Sequence, residues 1–183
     1  MSTRSAVLTR GRSERAHAFP TSADLVHRVL QTRAEVSPAI TRVALGLLLF
    51  PHGAQHFLGW FGGYGFAGTH QWITETLGFH PIAAAIAITT ELLAPIALVV
   101  GLGGRVAALG VIGLMIGATS THLENGFFMN WFGALPAGAE GYEYHLLMIV
   151  VATGVLLQGS GALSLDRWIA SRLGAHAPTR SST

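Results

Sequence analysis

The sequence of 183 residues contains no cysteine, which excludes disulfides, thiolate metal sites, iron–sulfur clusters and thiol redox chemistry. Lysine is also absent, so arginine supplies all 11 basic residues. Charged residues make up only 11% of the chain, whereas an ordinary soluble domain has roughly 25%. Hydrophobic residues make up 50%. This composition indicates one domain whose surroundings are lipid rather than water.

Apolar segments of helical length follow a polar N-terminal stretch. Each has about 18–21 residues, the length at which an α-helix crosses ~30 Å of hydrocarbon. We therefore predict an all-α fold, a four-helix transmembrane bundle with short interfacial helices at the termini. The predicted spans run from about Pro38 to Leu58, Pro81 to Gly101, Arg105 to Leu123 and Tyr144 to Gly161.

The predicted transmembrane domain covers residues 38–161, between an N-terminal tail of residues 1–37 and a C-terminal tail of residues 162–183. In the first tail, Ser22–Val36 places apolar residues on one side and arginines elsewhere, as in a helix lying on an anionic membrane surface. An unstructured basic tail is an equally good interpretation. In the second tail, Ser164–Leu173 predicts a short amphipathic helix with an interfacial tryptophan.

The arginines define an orientation for this bundle. All 11 fall on one side of the four-span arrangement, and the two loops on the other side, residues 59–80 and 124–143, are rich in aromatic residues instead. The positive-inside rule makes the arginine side cytoplasmic, so we predict that both termini lie in the cytoplasm. The arginines also account for the basic isoelectric point, so we expect membrane lipid and not nucleic acid as a partner.

The second predicted span contains an acidic residue. Glu91 lies about 15 Å into it, where a charged side chain costs roughly 2.5–3.5 kcal/mol. We therefore expect Glu91 to be protonated or to be paired inside the bundle. Pro95, one turn further on, is expected to kink the helix and to free a carbonyl for polar contact.

Other polar residues converge on the outer half of the predicted bundle. His52 and His56 are four residues apart on the first span, so they share one face. By depth, we expect His52 below the outer surface and His56 near it. The remaining members of this set are Gln55, His122, Glu143 and His145.

Three interpretations of this set stay open on the residues alone. Histidine is a common ligand of zinc, copper and haem iron, so the set could hold a metal, whose identity the sequence does not reveal. A histidine–glutamate set can also donate hydrogen bonds to the carbonyl oxygens of a quinone and pass protons. The third interpretation is a hydrogen-bonded polar plug that fixes the packing of the helices.

Several short motifs occur in a characteristic order. They are His52-Gly53-Ala54-Gln55-His56, Gly59-Trp60-Phe61-Gly62-Gly63, Glu91-Leu92, Gly101-Leu102-Gly103-Gly104-Arg105, His122 followed by Asn125-Gly126-Phe127-Phe128, Gly141-Tyr142-Glu143-Tyr144 and Ser164-Leu165-Asp166. In combination the set resembles the DoxX family of small four-span membrane proteins of bacteria. The resemblance covers about Ala39 to Asp166. One departure is His56, where the family usually has lysine.

The resemblance implies a location in the bacterial inner membrane and a link to redox chemistry. Some relatives are the membrane subunit of a thiosulfate:quinone oxidoreductase, and others are linked to a membrane oxidoreductase complex that handles oxidative stress and sulfur compounds. The family's polar positions correspond here to His52, Gln55, Glu91, His122, Asn125 and Glu143.

Our leading hypothesis is therefore an electron-transfer or quinone-interacting subunit of a membrane oxidoreductase system. Glu91 would relay a proton, while His52 and His122 would hydrogen-bond a quinone or ligate a metal; these three are the candidate catalytic residues. The candidate cofactor-binding residues are His52, Gln55, His56, Asn125, Glu143 and His145.

Two other hypotheses come from different classes of protein. A membrane anchor or assembly partner without chemistry of its own would explain the small size and the aromatic outer loops. A small-solute transporter ranks lower, because the sequence shows no evident inverted repeat. The quinone-linked hypothesis and the anchor hypothesis both allow an oxidoreductase partner subunit. Both also allow association with further copies of the chain.

Overall fold

The computed structural model describes residues 35–136 and 139–174. Those residues form α-helices joined by short helical turns and loops, with no β-strand among them, which confirms the predicted all-α class. The predicted helix Ser22–Val36 lies almost wholly outside the described residues. The helices are α1 (Val36–Gly53), α2 (Gly65–Gln71), α3 (Pro81–Val100), α4 (Gly104–His122), α5 (Glu143–Gln158) and α6 (Leu165–Gly174).

Helix α3 shows why the chain folds into these elements. It begins at Pro81, and proline suits this position because the first N–H of a helix has no partner within the helix. The backbone N–H of Ile82 donates to Nδ1 of His80 at 3.2 Å. It ends at Gly101, whose φ of 71° is the left-handed conformation that glycine adopts readily. The helix runs through Pro95 without a break, so the predicted kink does not divide it.

Among the described residues, two helices are long and apolar enough to cross a bilayer. They are Pro81–Val100 and Gly104–Asn125, the second counted with the helical turn that follows α4. Helix α5 is apolar but has only 16 residues. The number of four crossings therefore stays a prediction. The helices nevertheless pack as a bundle, in which α1 lies along α3 and α4 lies along α5.

Close packing of α1 against α3 depends on glycine. A Cβ at Gly46 would meet the Pro95 carbonyl oxygen at 2.7 Å, and a Cβ at Gly53 would collide with the Glu91 backbone. Gly113 and Gly117 on α4 form a small-xxx-small pair, a spacing that is typical of close contacts between membrane helices. A Cβ at either of those would meet nothing within 4 Å in the described part of the chain, so this pair makes no close helix contact there.

One end of the bundle is held together by a buried arginine. Arg42 is 1% exposed, although its position in the sequence suggested only a flanking positive charge. Its guanidinium donates to backbone carbonyls at the end of α3 and after α5, which no helical N–H satisfies. The acceptors are the carbonyl oxygens of Leu98, Val99, Ser160, Ala162 and Leu163, at 2.6–3.3 Å.

A buried aspartate completes this arrangement, which we name the Arg42–Asp166 cluster. Asp166 is 2% exposed and accepts from the backbone N–H groups of Gly103 and Gly104 and from the Ser160 hydroxyl, at 2.6–3.1 Å. It thereby caps the start of α4 and anchors α6, the short C-terminal helix that the sequence predicted. All four arginines of the described residues lie at this end, here called the arginine end.

The opposite end, which the arginine distribution predicts to face outward and which we call the outer end, is covered by the loop between α1 and α3. Its helix α2 packs against the end of α1 and against α3. A Cβ at Gly63 would collide with the Gln55 backbone, and Nε2 of His70 donates to the Pro81 carbonyl oxygen at 3.0 Å. The glycine-rich loop thus folds back over the bundle.

Candidate functional site

The centre of the candidate site is a contact between a histidine and the acid inside the bundle. Nδ1 of His56 lies 2.6 Å from Oε2 of Glu91, and the two side chains are 38% and 14% exposed respectively. This is the distance of a charge-assisted hydrogen bond, in which the imidazole N–H donates to the carboxylate. The expectation that Glu91 is paired inside the bundle agrees with this geometry.

Local sequence positions this pair. Gly53 brings α1 into contact with the backbone of Glu91, and the chain then widens into a π-helical turn at Ala54–Leu58 that carries His56. Pro51 lies just before that turn and cannot donate a helical hydrogen bond. Pro95 in turn removes the usual N–H partner of the Glu91 carbonyl, the group that Gly53 approaches.

The contact corrects the expected depth of His56. Its position near the end of the first span suggested a place close to the outer surface. Instead, His56 lies at the level of Glu91, about 15 Å along α3 from Pro81. Helix α1 thus stops short of the outer end of α3, and the loop of residues 59–80 packs against the turn that carries His56 and against α3.

His52 and Gln55 lie outside this contact. His52 is exposed, on the same side of α1 as Leu48, and makes no hydrogen bond or ion pair with the described residues. The Gln55 amide donates to the Phe61 carbonyl oxygen at 3.4 Å, so it holds the loop that covers the pair. The residue that meets Glu91 is therefore His56 and not His52.

A second histidine contact joins α4 and α5. The rings of His122 and His145 lie 4.6 Å apart between centroids, at an interplanar angle of 41°. Nδ1 of His122 donates to the Ala118 carbonyl oxygen at 2.8 Å. Because a carbonyl only accepts, Nδ1 carries the hydrogen and Nε2 of the neutral ring has a free lone pair.

Nδ1 of His145 is buried without a completed hydrogen bond; the Tyr142 backbone lies nearby but does not supply one of normal geometry. The buried hydroxyl of Thr69 on α2 is the other side-chain polar atom in this condition within the described residues. Buried polar groups are nearly always satisfied, and a ligand or water commonly completes those that the protein leaves open. Both atoms lie in the outer half of the molecule.

Sequence reasoning missed three contributors to this region. Gly53 sets the approach of α1 to Glu91, and Thr69, on helix α2 of the loop, has a buried hydroxyl without a hydrogen-bond partner among the described residues. Tyr144 lies in the first turn of α5, within electrostatic range of Glu91, and contacts the His145 ring edge-on at 6.0 Å between centroids. Only Gly53, seven residues after Gly46, had a signal in the sequence, namely small residues on one helix face.

Asn125 and Glu143 hold the second outer loop in this structure. Asn125 donates to the Glu140 carbonyl oxygen at 2.9 Å, and Glu143 accepts from the Met129 backbone N–H at 3.3 Å. Gly141 packs directly on the backbone of residues 126–128. These contacts support α5, and with it His145, rather than meeting Glu91.

The described residues bring together no group of three or more histidine, cysteine, aspartate or glutamate side chains able to hold a metal ion. Three of the histidines instead take part in two pairs, His56 with Glu91 and His122 with His145. Such pairs suit hydrogen bonding and proton transfer better than a closed metal site, which needs about four ligands.

The described helices form a bundle of the kind found in helical membrane proteins, with two helices of membrane-spanning length and with polar pairs in its outer half. Comparison with protein families identifies the protein further: the model of the DoxX family matches residues 37–131, more than half of the chain. The protein belongs to the DoxX family. The match includes His56, Glu91, His122 and Asn125 but ends before α5, where the motif resemblance continued. No curated protein and no solved structure matches the chain.

Proposed function

We propose that this protein is a quinone-interacting, electron-transfer subunit of a membrane oxidoreductase, and that His56 and Glu91 together form its proton-exchanging group. In this proposal it crosses the bacterial inner membrane four times with both termini in the cytoplasm. The observation that carries the proposal is the 2.6 Å contact between the two side chains in an apolar bundle.

An imidazole bonded to a carboxylate can take up and release one proton. When the pair holds that proton, the His56 imidazolium and the Glu91 carboxylate compensate each other; when the proton leaves, the carboxylate keeps the hydrogen bond from the neutral ring, and its charge favours uptake of the next proton. Reduction of a quinone to a quinol requires two electrons and two protons, so a quinone-linked subunit needs such a group. The proposed source of electrons is a partner subunit.

The unsatisfied polar atoms in the outer half support a ligand with polar oxygens. The Thr69 hydroxyl can donate to a carbonyl oxygen, as can Nδ1 of His145 when it is protonated. A quinone carries two carbonyl oxygens on an apolar ring, which suits an otherwise hydrophobic bundle. His122 in this proposal orients His145 through the ring contact rather than ligating a metal.

The test uses the full-length protein in lipid nanodiscs with a soluble quinone and a chemical reductant. We expect the wild type to bind the quinone and to accelerate quinol formation, with proton uptake. Glu91→Gln keeps the shape but cannot cycle a proton, so it should lower the rate about 10²–10⁴-fold while leaving quinone binding largely intact. His56→Asn should have the same phenotype.

A matched control is available on the outer loop. Glu75 accepts a hydrogen bond from Gln71 at 2.9 Å at an exposed site away from the bundle. Glu75→Gln removes the same charge and should leave the rate unchanged. Equal rates for the wild type and for Glu91→Gln, or no binding of any quinone, would refute the proposal.

A second candidate function rests on the exposed aromatic side chains at the outer end. Phe132 is 97% exposed, and Phe128 and Trp131 are each 73% exposed. A non-catalytic membrane anchor or assembly partner would use such a surface as an interface. In that case a pulldown with the full-length protein returns a stoichiometric partner, Trp131→Ala with Phe132→Ala abolishes its recovery, and Glu91→Gln has no effect on it.

A further inference from the structure

A shallow open groove runs along α6 at the arginine end, far from the outer half. It combines hydroxyl and guanidinium groups with two large apolar side chains. Its lining residues are Leu163, Ser164, Arg167, Trp168 and Ser171. Leu163 is 92% exposed and Trp168 is 57% exposed, so both apolar side chains are largely uncovered by the protein itself.

The walls of the groove are held in place by the Arg42–Asp166 cluster. Leu163 has a φ of 52°, which is strained for a residue with a side chain, and its carbonyl is fixed by a 2.7 Å bond from Arg42. The Ser164 hydroxyl donates to the Gly161 carbonyl oxygen at 2.9 Å, and the Arg172 guanidinium lies over the Trp168 ring at 5.1 Å. The groove is therefore preformed.

The charge of the groove is positive. Arg167 is exposed, and its guanidinium has no hydrogen-bond or ion-pair partner among the residues that the structure describes. The neighbouring Asp166 is buried and already accepts three hydrogen bonds, so it does not neutralise Arg167. A positive group beside exposed leucine and tryptophan side chains complements an anion that carries a hydrocarbon chain.

We propose that this groove binds the headgroup of an anionic phospholipid, with its phosphate on Arg167 and its acyl chain along Leu163 and Trp168. Tryptophan side chains favour the depth at which headgroups meet acyl chains, and arginines near that depth attract anionic lipids. The proposal is independent of the quinone-linked function, because no residue of the groove belongs to the outer half.

The experiment titrates the purified full-length protein in detergent with phosphatidylglycerol or phosphatidylcholine and counts retained lipid by native mass spectrometry. We expect phosphatidylglycerol to be retained about fivefold or more over phosphatidylcholine, and Arg167→Gln to reduce that preference about fivefold. Trp168→Ala should weaken retention of both lipids alike. Arg180→Gln removes the same charge from the tail that follows α6, and should change the preference less than about twofold.

Two outcomes would overturn the inference. Equal losses for Arg167→Gln and Arg180→Gln would mean that lipid is attracted by the overall charge of the C-terminal part of the chain and not by the groove. Displacement of the bound lipid by an excess of inorganic phosphate would mean a site for free phosphate. A thermal melt of each variant shows whether the fold is intact, and Ser171→Trp, which fills the groove without altering charge, should abolish the preference as well.

Discussion

The two ends of the bundle differ in whether their buried polar groups have hydrogen-bond partners. At the arginine end, Arg42 reaches five carbonyl oxygens and Asp166 accepts three hydrogen bonds, so every strong donor and acceptor in the cluster is used. In the outer half, the Thr69 hydroxyl and Nδ1 of His145 are buried without a completed bond. Satisfied networks fix a structure, and unsatisfied ones persist where function requires them.

From this comparison we expect stability to depend on the arginine end and the proposed function to depend on the outer half. It predicts that substitutions at the arginine end unfold the protein, whereas substitutions of polar atoms in the outer half impair function with little loss of stability. A protein whose polar groups all served packing would show losses of stability at both ends. The predictions below test this contrast, beginning with the largest effect.

Arg42→Ala should have the largest effect on stability. It removes a fully buried guanidinium and leaves five carbonyls without their donor, at the junction of α3, α4 and α6. Loss of one member of a buried charged network typically costs about 3–5 kcal/mol. We expect a large fall in the melting temperature, or no folded protein, measured by thermal unfolding in detergent.

Arg42→Lys is the informative companion of that variant. Lysine restores the charge but has only three donors at one point, so it cannot reach acceptors on both α3 and the segment after α5. We expect it to recover less than half of the lost stability. Full recovery would show that charge alone matters at this position and that the hydrogen-bonded cluster does not hold the helices.

Gly53→Ala should have an intermediate effect, because the new methyl group meets the Glu91 backbone. Overpacking of this kind costs about 1–3 kcal/mol. It should also move α1 away from α3 and break the contact between His56 and Glu91, so the quinone-linked rate should fall with the stability. The measurements are a thermal melt and the rate assay on the same sample.

Gly113→Ala is the matched control. A Cβ at Gly113 has open space within the described residues, and alanine favours a helix over glycine by about 1 kcal/mol. Its melting temperature should therefore be unchanged or slightly raised. A loss as large as that of Gly53→Ala would mean that Gly113 contacts another copy of the chain.

Much of the fold could be predicted from the sequence, because segment length, hydrophobicity and proline or glycine boundaries act locally. The limits of α3 are an example: Pro81 and Gly101 mark its ends directly. The role of Arg42 could not be predicted, since its acceptors lie 56–121 residues away along the chain. A flanking arginine and a buried one look the same in sequence.

The residues of the candidate site could be predicted from the sequence, but which of them contact one another could not. Glu91 stood out because an acid inside an apolar span is costly, and a buried partner was expected. Helical periodicity did not show whether His52 or His56 would meet it, because that depends on how closely Gly53 lets two helices approach. The π-helical turn also shifts His56 relative to a regular helix.

Thr69→Val should have the smallest effect on stability and gives the sharpest test of the contrast. The buried hydroxyl makes no hydrogen bond within the described residues, so removing it should leave stability unchanged or raise it by about 1 kcal/mol. If the hydroxyl serves a quinone, the affinity should fall about 2- to 10-fold, the value of one hydrogen bond. Both quantities can be measured in nanodiscs by thermal unfolding and by quinone titration.

Thr74→Val provides the reference, since the Thr74 hydroxyl donates to the carbonyl oxygens of His70 and Gln71 at 2.9 and 3.1 Å. Thr74 lies on the same loop as Thr69, and the valine substitution removes the same hydroxyl. Unlike the Thr69 hydroxyl, the Thr74 hydroxyl makes hydrogen bonds within the protein, and the variant loses them. Its stability should therefore fall slightly while its affinity for quinone stays constant. If Thr69→Val behaved like Thr74→Val, the Thr69 hydroxyl would be a structural group, and the outer half would differ less from the arginine end than the unsatisfied atoms indicate.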